Sequence, residues 1–259
     1  MIDRFFQWTA WPMALPVPYS PFSIILTILG VLASCLSALH LAASARIRPK
    51  AVLLAGGVLL TVLELYKQGF LYLVVNGRQY NWWYFPFQLC SIPMYLGLIY
   101  GLLPDAASQS VSKIIPTFLQ DFGLLGGIMA LAVPDGLLHP YWTLTLHGFL
   151  WHFILIFLGL YCKQKGLAES SNQSFLRILP LYFVCCAIAA AINTAVQMTV
   201  YPTGYADMFY INCFFPSEQP LFRQISLTFG NVWGHLVYMV ASCAGAYLIH
   251  RLCRIFSYK

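Results

Sequence analysis

The sequence predicts an all-α integral membrane protein, a polytopic bundle of about seven transmembrane helices. Of the 259 residues, 60% are hydrophobic and only 8% are charged, whereas soluble domains carry roughly 25% charged residues. Seven apolar stretches are each long enough to cross a hydrocarbon core of about 30 Å. The connections between them are short, with one exception, so no length remains for a separate soluble domain.

The predicted spans follow the apolar stretches in chain order: 22–43, 51–75, 83–103, 113–133, 140–162, 176–199 and 225–249. Residues 1–21 precede them and are rich in aromatic side chains and proline, which predicts an interfacial N-terminal arm. Residues 22–259 then form a single transmembrane helical domain. Its one long connection, 200–224, is aromatic and poor in charge, which predicts a folded cap on the outer bilayer surface.

Basic residues predict the orientation, because cytoplasmic loops are enriched in Lys and Arg. Seven spans put ten of the 14 basic residues on one side and four on the other. The N-terminus is therefore expected outside and the C-terminus in the cytoplasm, with loop 163–175 inside. The net charge of +6 reflects this topology and does not indicate nucleic-acid binding. The ten are Arg46, Arg48, Lys50, Lys113, Lys163, Lys165, Arg177, Arg251, Arg254 and Lys259, and the four are Arg4, Lys67, Arg78 and Arg223.

Polar side chains recur at one depth within the apolar stretches. A charge or an imidazole in hydrocarbon is costly, so each such group is expected to face the bundle interior and to have partners. When the spans cross the bilayer in alternating directions, most of these polar side chains lie in its outer half. This predicts a polar pocket beneath the cap, lined by Glu64, Lys67, Cys90, Asp121, His147, His152, Asn193, Asn231 and His235.

Cys90 is the candidate nucleophile of this layer. Pro86 can start its helix and Pro93 can distort it, which would release backbone groups near the thiol. A thiol beside a histidine becomes a usable nucleophile, because the imidazole takes its proton. The structural alternative is that Cys90 packs as a small apolar residue, since apolar burial makes a cysteine inert.

His147 and His152 are the candidate bases. They are separated by about 140° around a helix, so both cannot point squarely at one centre. One can meet Cys90 while the other binds a neighbouring helix or a lipid headgroup, and depth alone slightly favours His147. The alternative is that each makes an interhelical hydrogen bond.

The remaining polar residues have simpler candidate roles. Glu64 and Lys67 are three apart on one helix face and can pair, either to neutralise each other or to bind a zwitterionic headgroup. Asp121 can orient a histidine or be hydrogen-bonded in its neutral form. Asn231 and His235 share a helix face.

Motifs for other chemistries are missing from the sequence. It contains no Walker loop, dinucleotide fingerprint, HExxH or GxSxG motif, and no Cys/His metal spacing. We therefore expect no cofactor and no metal. No inverted repeat is evident, which weakens a transporter interpretation.

Three segments resemble a known family. FPFQLCSIPMYLGLIYGLL resembles the "LPLHLC" helix of the YwaF-like bacterial membrane proteins, which belong with the eukaryotic transmembrane protein 164 family. FGLLGGIMALAVPDGLLHPYWTLTLHGFLWHFILIFLGLY and AAINTAVQMTVYPTGYADMFYINCFFPS are similar to the hairpin and the capped asparagine helix that come next in that family. The resemblance covers roughly residues 55–245, and one departure is Gln88, which stands where the family pattern has a histidine.

The resemblance implies a lipid acyltransferase-like site with a cysteine nucleophile and a histidine base. Its eukaryotic members are linked to moving fatty acyl chains onto lysophospholipids, and the family is distantly similar to androgen-induced-protein type membrane hydrolases. Carried over, the nucleophile falls on Cys90 and the base on His152.

We therefore expect a membrane lipid acyltransferase or acyl-ester hydrolase, with a membrane lipid as substrate. Asn193, Asn231 or His235 would donate hydrogen bonds to the oxyanion, and Gln88 would line the pocket. The alternative is a non-catalytic lipid or small-molecule binding or transport protein that uses the same pocket.

Overall fold

The computed structural model describes residues 1–104 and 109–255, and in these ranges it is helical without a β-strand. Lys259, one of the ten basic residues counted for orientation, lies outside the described residues. The α-helices are α1 Ile2–Trp8, α2 Pro21–Ala43, α3 Pro49–Phe70, α4 Ile92–Leu102, α5 Gln109–Phe118, α6 Leu124–Ala132, α7 Trp142–Gln164, α8 Asn172–Thr199, α9 Pro220–Phe229 and α10 Asn231–Ile255.

Six helical segments in the described ranges are long and apolar enough to cross a membrane, which confirms the all-α, multi-pass class. They match six of the seven predicted spans. Helix α3 is extended by a π-helical turn, and a second π-helical turn joins α5 to α6. The six segments are Pro21–Ala43, Pro49–Val75, Val111–Ala132, Trp142–Gln164, Asn172–Thr199 and Asn231–Ile255.

The third predicted span, 83–103, has a different structure. It begins with the 3-10 turns Trp82–Tyr84 and Leu89–Ser91, and only its second half is the α-helix α4, which has 11 residues. Pro86 has no N–H to donate, and it disfavours helical backbone in the residue before it, so a continuous helix cannot form here.

The chain divides into two compact units, residues 1–80 with 92–169 (unit 1) and residues 81–91 with 170–259 (unit 2). In unit 1, α4 runs antiparallel to α3 in close backbone contact. A side chain on Gly57 would meet the Leu98 backbone nitrogen at 2.6 Å, and one on Gly97 would meet the Leu53 carbonyl oxygen at 2.8 Å. The short helix therefore brings the chain back to the end at which α3 begins, as a full crossing would.

Lysine side chains close helix ends on that side of unit 1. Lys165 Nζ donates to the carbonyls of Ala42 and Ser44 at 3.1 and 2.7 Å, and Lys50 Nζ donates to the Leu103 carbonyl at 2.7 Å. The last carbonyls of a helix lack intrahelical partners and carry partial negative charge. A lysine ammonium there donates hydrogen bonds to these carbonyls, and its positive charge is attracted to them.

The N-terminal arm packs on the opposite end of unit 1. The Tyr19 hydroxyl donates to the Ala132 carbonyl at 2.9 Å, and Arg78 pairs with Asp3 at 2.9 Å. Phe6 fills the space beside Gly69. The helix ends of unit 1 thus group into two sides.

Unit 2 is built on the antiparallel helices α8 and α10. The Tyr182 hydroxyl donates to the Met239 carbonyl at 3.5 Å, and His250 Nε2 donates to the Ser171 carbonyl at 3.0 Å. The predicted span 225–249 was wrong at its start, because Gly230, at φ 96°, breaks the helix there. Residues 220–229 form the separate helix α9, and the crossing helix begins at Asn231.

Candidate functional site

Cys90 lies in unit 2, in the 3-10 turn Leu89–Ser91 that precedes α4. The thiol is half-buried and is not part of a disulfide. The turn is closed by a hydrogen bond from the Ser91 N–H to the Gln88 carbonyl at 2.8 Å. The candidate nucleophile therefore lies where the backbone is not α-helical.

The side chain of Gln88 binds the backbone of the connection between α8 and α9. Its Nε2 donates to the Asp207 carbonyl at 2.8 Å, and its Oε1 accepts from the Phe209 N–H at 2.8 Å. The Gln88 amide thus binds two nearby peptide groups, one through its donor and the other through its acceptor. This ties residues 207–209 to the segment that carries Cys90.

A second side-chain amide binds the residue between those two. Asn193, on α8, accepts from the Met208 N–H at 2.7 Å and donates to the Met208 carbonyl at 3.1 Å. Both residues are almost fully buried. We refer to Gln88 and Asn193, together with residues 207–209, as the amide clamp.

The clamp holds two residues in left-handed backbone conformations. Phe209 has φ 59° and Tyr210 has φ 54°, a region that bulky side chains rarely adopt. The ring of Tyr210 lies edge-on to Trp83 at 5.9 Å and to Tyr238 at 6.2 Å. Burial raises the pKa of the Tyr210 hydroxyl, and negative charge on Cys90 raises it further.

Asp207 is a buried carboxyl inside the same connection. Its Oδ1 accepts from the Asn212 N–H at 2.9 Å. Burial raises the pKa of Asp207 to about 7, the hydrogen bond from Asn212 opposes this, and the negative charge of Glu218 adds to it. The carboxyl therefore titrates near neutral pH.

One face of α10 turns toward the same connection. Asn231 Nδ2 donates to the Cys213 carbonyl at 3.2 Å. His235, one turn further, is 3% exposed, and both of its ring nitrogens are without a hydrogen-bond partner in the described part of the chain. An unsatisfied buried imidazole costs free energy and calls for an explanation.

Unit 1 contains a second group of polar residues. Glu64 pairs with Lys67 at 2.8 Å, as their spacing predicts, and its other oxygen accepts from Gln68 Nε2 at 2.7 Å. The Lys67 ammonium lies 5.9 Å from the ring centroid of Trp151. Burial lowers the pKa of His139, in the loop before α7, and the Lys67 charge lowers it further.

The two candidate bases lie on α7 and are both buried. His147 Nε2 donates to the Leu63 carbonyl at 3.1 Å, and His152 Nδ1 donates to the Gly148 carbonyl at 2.7 Å. A carbonyl oxygen can only accept, so the proton of neutral His147 is on Nε2 and that of neutral His152 is on Nδ1. The basic nitrogen is then Nδ1 in His147 and Nε2 in His152.

Asp121 is fully buried in the π-helical turn between α5 and α6. It accepts a hydrogen bond from the side chain of its neighbour Gln120 at 2.8 Å. This is the hydrogen-bonded environment that one of its two predicted roles requires.

The predicted site residues divide between the two units. Unit 2 contains Gln88, Cys90, Asn193, Asn231 and His235. Unit 1 contains Glu64, Lys67, Asp121, His147 and His152. The pairing of Cys90 with a histidine of α7 stays a prediction.

Sequence reasoning missed Asp207 and Tyr210 as individual residues. It predicted that their segment forms an aromatic cap, but neither residue lies in a periodic apolar stretch. Nothing in the sequence marks Phe209 and Tyr210 as left-handed, because glycine and asparagine are the usual residues there. The one available signal was the two amides, Gln88 and Asn193, within apolar segments.

In the described ranges, no three His, Cys, Asp or Glu side chains come together in a group that could hold a metal ion. Comparison with curated proteins and with solved structures gives no match. The sequence profile described as the TMEM164 family matches residues 16–249, which is most of the chain. This range includes every candidate site residue, and the chain therefore belongs to the TMEM164 family.

Proposed function

We propose that this protein is a membrane-lipid acyltransferase, or an acyl-ester hydrolase, that works through an acyl thioester on Cys90. The observation that carries the proposal is the position of Cys90 in a 3-10 turn next to α4. Irregular backbone at membrane depth is tolerated only where protein buries it or where it lines a cavity. A thiol there is a candidate for reaction with the ester of a lipid.

His152 is proposed as the base that takes the thiol proton. Its Nδ1 is held by Gly148, which leaves the basic lone pair on Nε2, at the tip of the ring. The basic nitrogen of His147 is Nδ1, which lies closer to its own backbone. This difference favours His152, as the sequence resemblance does.

The reaction proceeds in two balanced halves. The Cys90 thiolate attacks the ester carbonyl, a C–S bond forms, and the C–O bond breaks as the leaving oxygen takes the proton from His152. A second lipid alcohol or water then gives its proton to His152 and attacks the thioester. The acyl chain leaves on that oxygen, and the Cys90 thiol is restored.

Of the three candidate oxyanion donors, His235 has unused hydrogen-bonding capacity. Asn193 is occupied by Met208, and Asn231 donates to Cys213. His235 has no partner among the described residues. We therefore propose that His235 contacts a polar group of the substrate.

A non-catalytic lipid-binding protein is the second candidate. The Glu64–Lys67 pair with Gln68 and Trp151 favours it, because these groups present a cation and an anion together in unit 1. Such a cluster fits a zwitterionic headgroup without any reaction.

Mass spectrometry of the purified protein tests the first candidate. We expect an acyl adduct on the peptide that contains Cys90 after incubation with a diacyl phospholipid, and none in Cys90→Ala. Cys213→Ala is the matched control, since that exposed cysteine lies in the same unit and should leave the adduct unchanged.

The base is tested by rates. His152→Ala should slow adduct formation by roughly 10²–10⁴-fold, the usual contribution of a general base, and His147→Ala should slow it far less. Acyl transfer by Cys90→Ala at the wild-type rate would show that the nucleophile is wrong. Stoichiometric lipid binding without any turnover would favour the binding protein.

The orientation is also proposed, with the N-terminus outside and the C-terminus cytoplasmic. The side of unit 1 that contains Lys50, Lys113 and Lys165 carries the excess of basic residues, which supports this choice. Impermeant thiol labelling of intact cells, followed on the peptide that contains the introduced cysteine, should modify Arg78→Cys and spare Arg46→Cys.

A further inference from the structure

The backbone of the connection between α8 and α9 is fixed by hydrogen bonds from side chains of other segments. Two side-chain amides, the partly buried Gln88 and the buried Asn193, together make four hydrogen bonds to three consecutive residues, 207–209. Each amide uses both its donor and its acceptor. Such an arrangement fixes the backbone at those residues, so the next residue in the chain is placed accurately.

The clamp ends in a strained pair of residues. Phe209 and Tyr210 adopt left-handed conformations, at φ 59° and 54°, that are unfavourable for bulky side chains. Strain of this kind persists where the surroundings over-determine it, and it concentrates at functional sites. Glycine at either position would remove the strain, yet an aromatic ring occupies both.

The two rings have different surroundings. Phe209 is 1% exposed and packs against Phe87 and Tyr182, so its function is to fill space. Tyr210 is only partly buried and lies beside Trp83 and Tyr238. It directly follows Phe209, whose N–H is bound at 2.8 Å by Gln88, two residues before Cys90, and its hydroxyl interacts electrostatically with Cys90. Only the second ring offers a hydrogen-bond donor to the site.

The donor on Tyr210 is available. Within the described residues, no protein group accepts a hydrogen bond from its hydroxyl, whereas the Tyr238 hydroxyl is engaged by Ser242 one turn along α10. The raised pKa of Tyr210 keeps its proton in place at neutral pH. A neutral phenol can donate to an anion without losing that proton.

We propose that Tyr210 is a further catalytic residue of the Cys90 site, donating a hydrogen bond to the oxyanion, and that Gln88 is its positioning residue. The proposal rests on the thioester chemistry proposed above. When the thiolate attacks, the C=O electron pair moves onto oxygen, and the Tyr210 hydroxyl stabilises that charge. The pair returns when the C–O bond breaks, and Tyr210 keeps its proton throughout.

Tyr210→Phe tests the donor, because it keeps the ring and its edge contacts. Acylation of Cys90 by a diacyl phospholipid should slow by roughly 10²–10³-fold, as for loss of an oxyanion donor, with little change in KM. Tyr205→Phe is the matched control. That tyrosine lies in the same connection but donates to Glu218 at 2.9 Å, so its loss should leave the rate within about twofold of wild type.

Gln88 variants test the positioning. Gln88→Ala should slow acylation by a comparable factor. Gln88→His should restore most of the rate, because a neutral imidazole also offers one donor and one acceptor. A purely structural role for Gln88 would predict that Gln88→Ala lowers the amount of folded protein, while the molecules that remain folded acylate Cys90 at the wild-type rate.

A second measurement needs no lipid turnover. Alkylation of Cys90 by iodoacetamide, followed on its own peptide by mass spectrometry, reports thiolate formation as a function of pH. Tyr210→Phe should move this profile to higher pH, because the thiolate loses a nearby donor, and Tyr205→Phe should not.

The outcomes separate the two proposals. If wild type forms the Cys90 adduct and Tyr210→Phe forms it at the same rate, the proposed role of Tyr210 is wrong and the thioester proposal stands. If wild type forms no adduct, the thioester proposal and the oxyanion role fail together. A Tyr210-dependent alkylation profile would then retain only the contact between hydroxyl and thiol.

Discussion

The side-chain oxygen of Gln88 accepts a hydrogen bond from the backbone N–H of Phe209, 121 residues further along the chain, at 2.8 Å. The same amide donates to the Asp207 carbonyl. The segment that Gln88 belongs to resembles a pattern with a histidine here, and a neutral imidazole also offers one donor and one acceptor.

Gln88→Ala should destabilise the folded protein by about 1–3 kcal/mol, because it leaves two peptide groups without partners. Gln88→His should restore much of this loss. Thermal unfolding in a fixed detergent measures the effect, with Thr194→Ala as the control, since the exposed Thr194 hydroxyl bonds only within its own helix. An alanine variant as stable as wild type would contradict the clamp.

Asp207 should make stability depend on pH near neutrality. Its folded-state pKa, about 7, lies above the ordinary value of 3.8, so between these values the folded state holds a proton that the unfolded chain has released. Stability from this group is therefore fully present below about pH 4, falls as pH rises toward 7, and levels off above it.

At about 1.4 kcal/mol per unit of pKa shift, the fall should amount to a few kcal/mol. Asp207→Asn should flatten the profile between pH 5 and 8. Glu218→Gln should shift its upper limit to lower pH, because the Glu218 charge contributes to the raised pKa. Unfolding midpoints across this range test both, and a wild-type profile that rises from pH 5 to 8 would refute the sign.

His235→Phe should leave stability unchanged or raise it. The histidine ring has no partner in the described residues, so an aromatic ring without polar atoms loses no hydrogen bond there and avoids a desolvation cost. If His235 contacts substrate, the same variant should also weaken lipid turnover. A loss of more than about 1 kcal/mol in unfolding free energy would mean that His235 is hydrogen-bonded in the folded protein.

Lys165→Met should destabilise unit 1 by about 1–3 kcal/mol. The variant keeps much of the apolar stem but removes the ammonium that binds the last carbonyls of α2, and hydrogen bonds to charged groups are the stronger kind. Arg46→Met, at an exposed residue in the adjacent loop, is the control. Equal stability of the two variants would show that the cap contributes little.

Most of the helical framework could be predicted from hydropathy, because a bilayer demands long apolar helices whatever they pack against. The span predicted at 140–162 is α7, Trp142–Gln164, within two residues at each end. The Glu64–Lys67 pair could also be predicted from spacing alone, since residues three apart share a helix face.

The prediction of a continuous helix over the third span was wrong, because hydropathy does not report whether the backbone can form helical hydrogen bonds. Its apolar residues run from Trp82 to Leu103, yet Pro86 prevents the first half from forming an α-helix. Similarly, the hydropathy of residues 225–249 continues across Gly230, whose positive φ separates two helices. In both places a single residue's dihedral preference outweighed the pattern around it.

The amide clamp could not be predicted, because it joins residues far apart in sequence through backbone groups that every residue has. Gln88 and Asn193 were identified as polar residues in apolar surroundings. Their partners, the peptide groups of residues 207–209, carry no sequence signal. Tertiary structure was needed to show that these amides hold a loop.

The short helix α4 has a consequence for the lipid next to it. Its 11 residues span about 16 Å at 1.5 Å per residue, roughly half the thickness of a hydrocarbon core. Hydrophobic mismatch of this size is relieved by thinning of the bilayer or by polar groups reaching inward. Lipid ester groups beside α4 would then lie deeper than elsewhere, at the level where the helix gives way to the turn that contains Cys90.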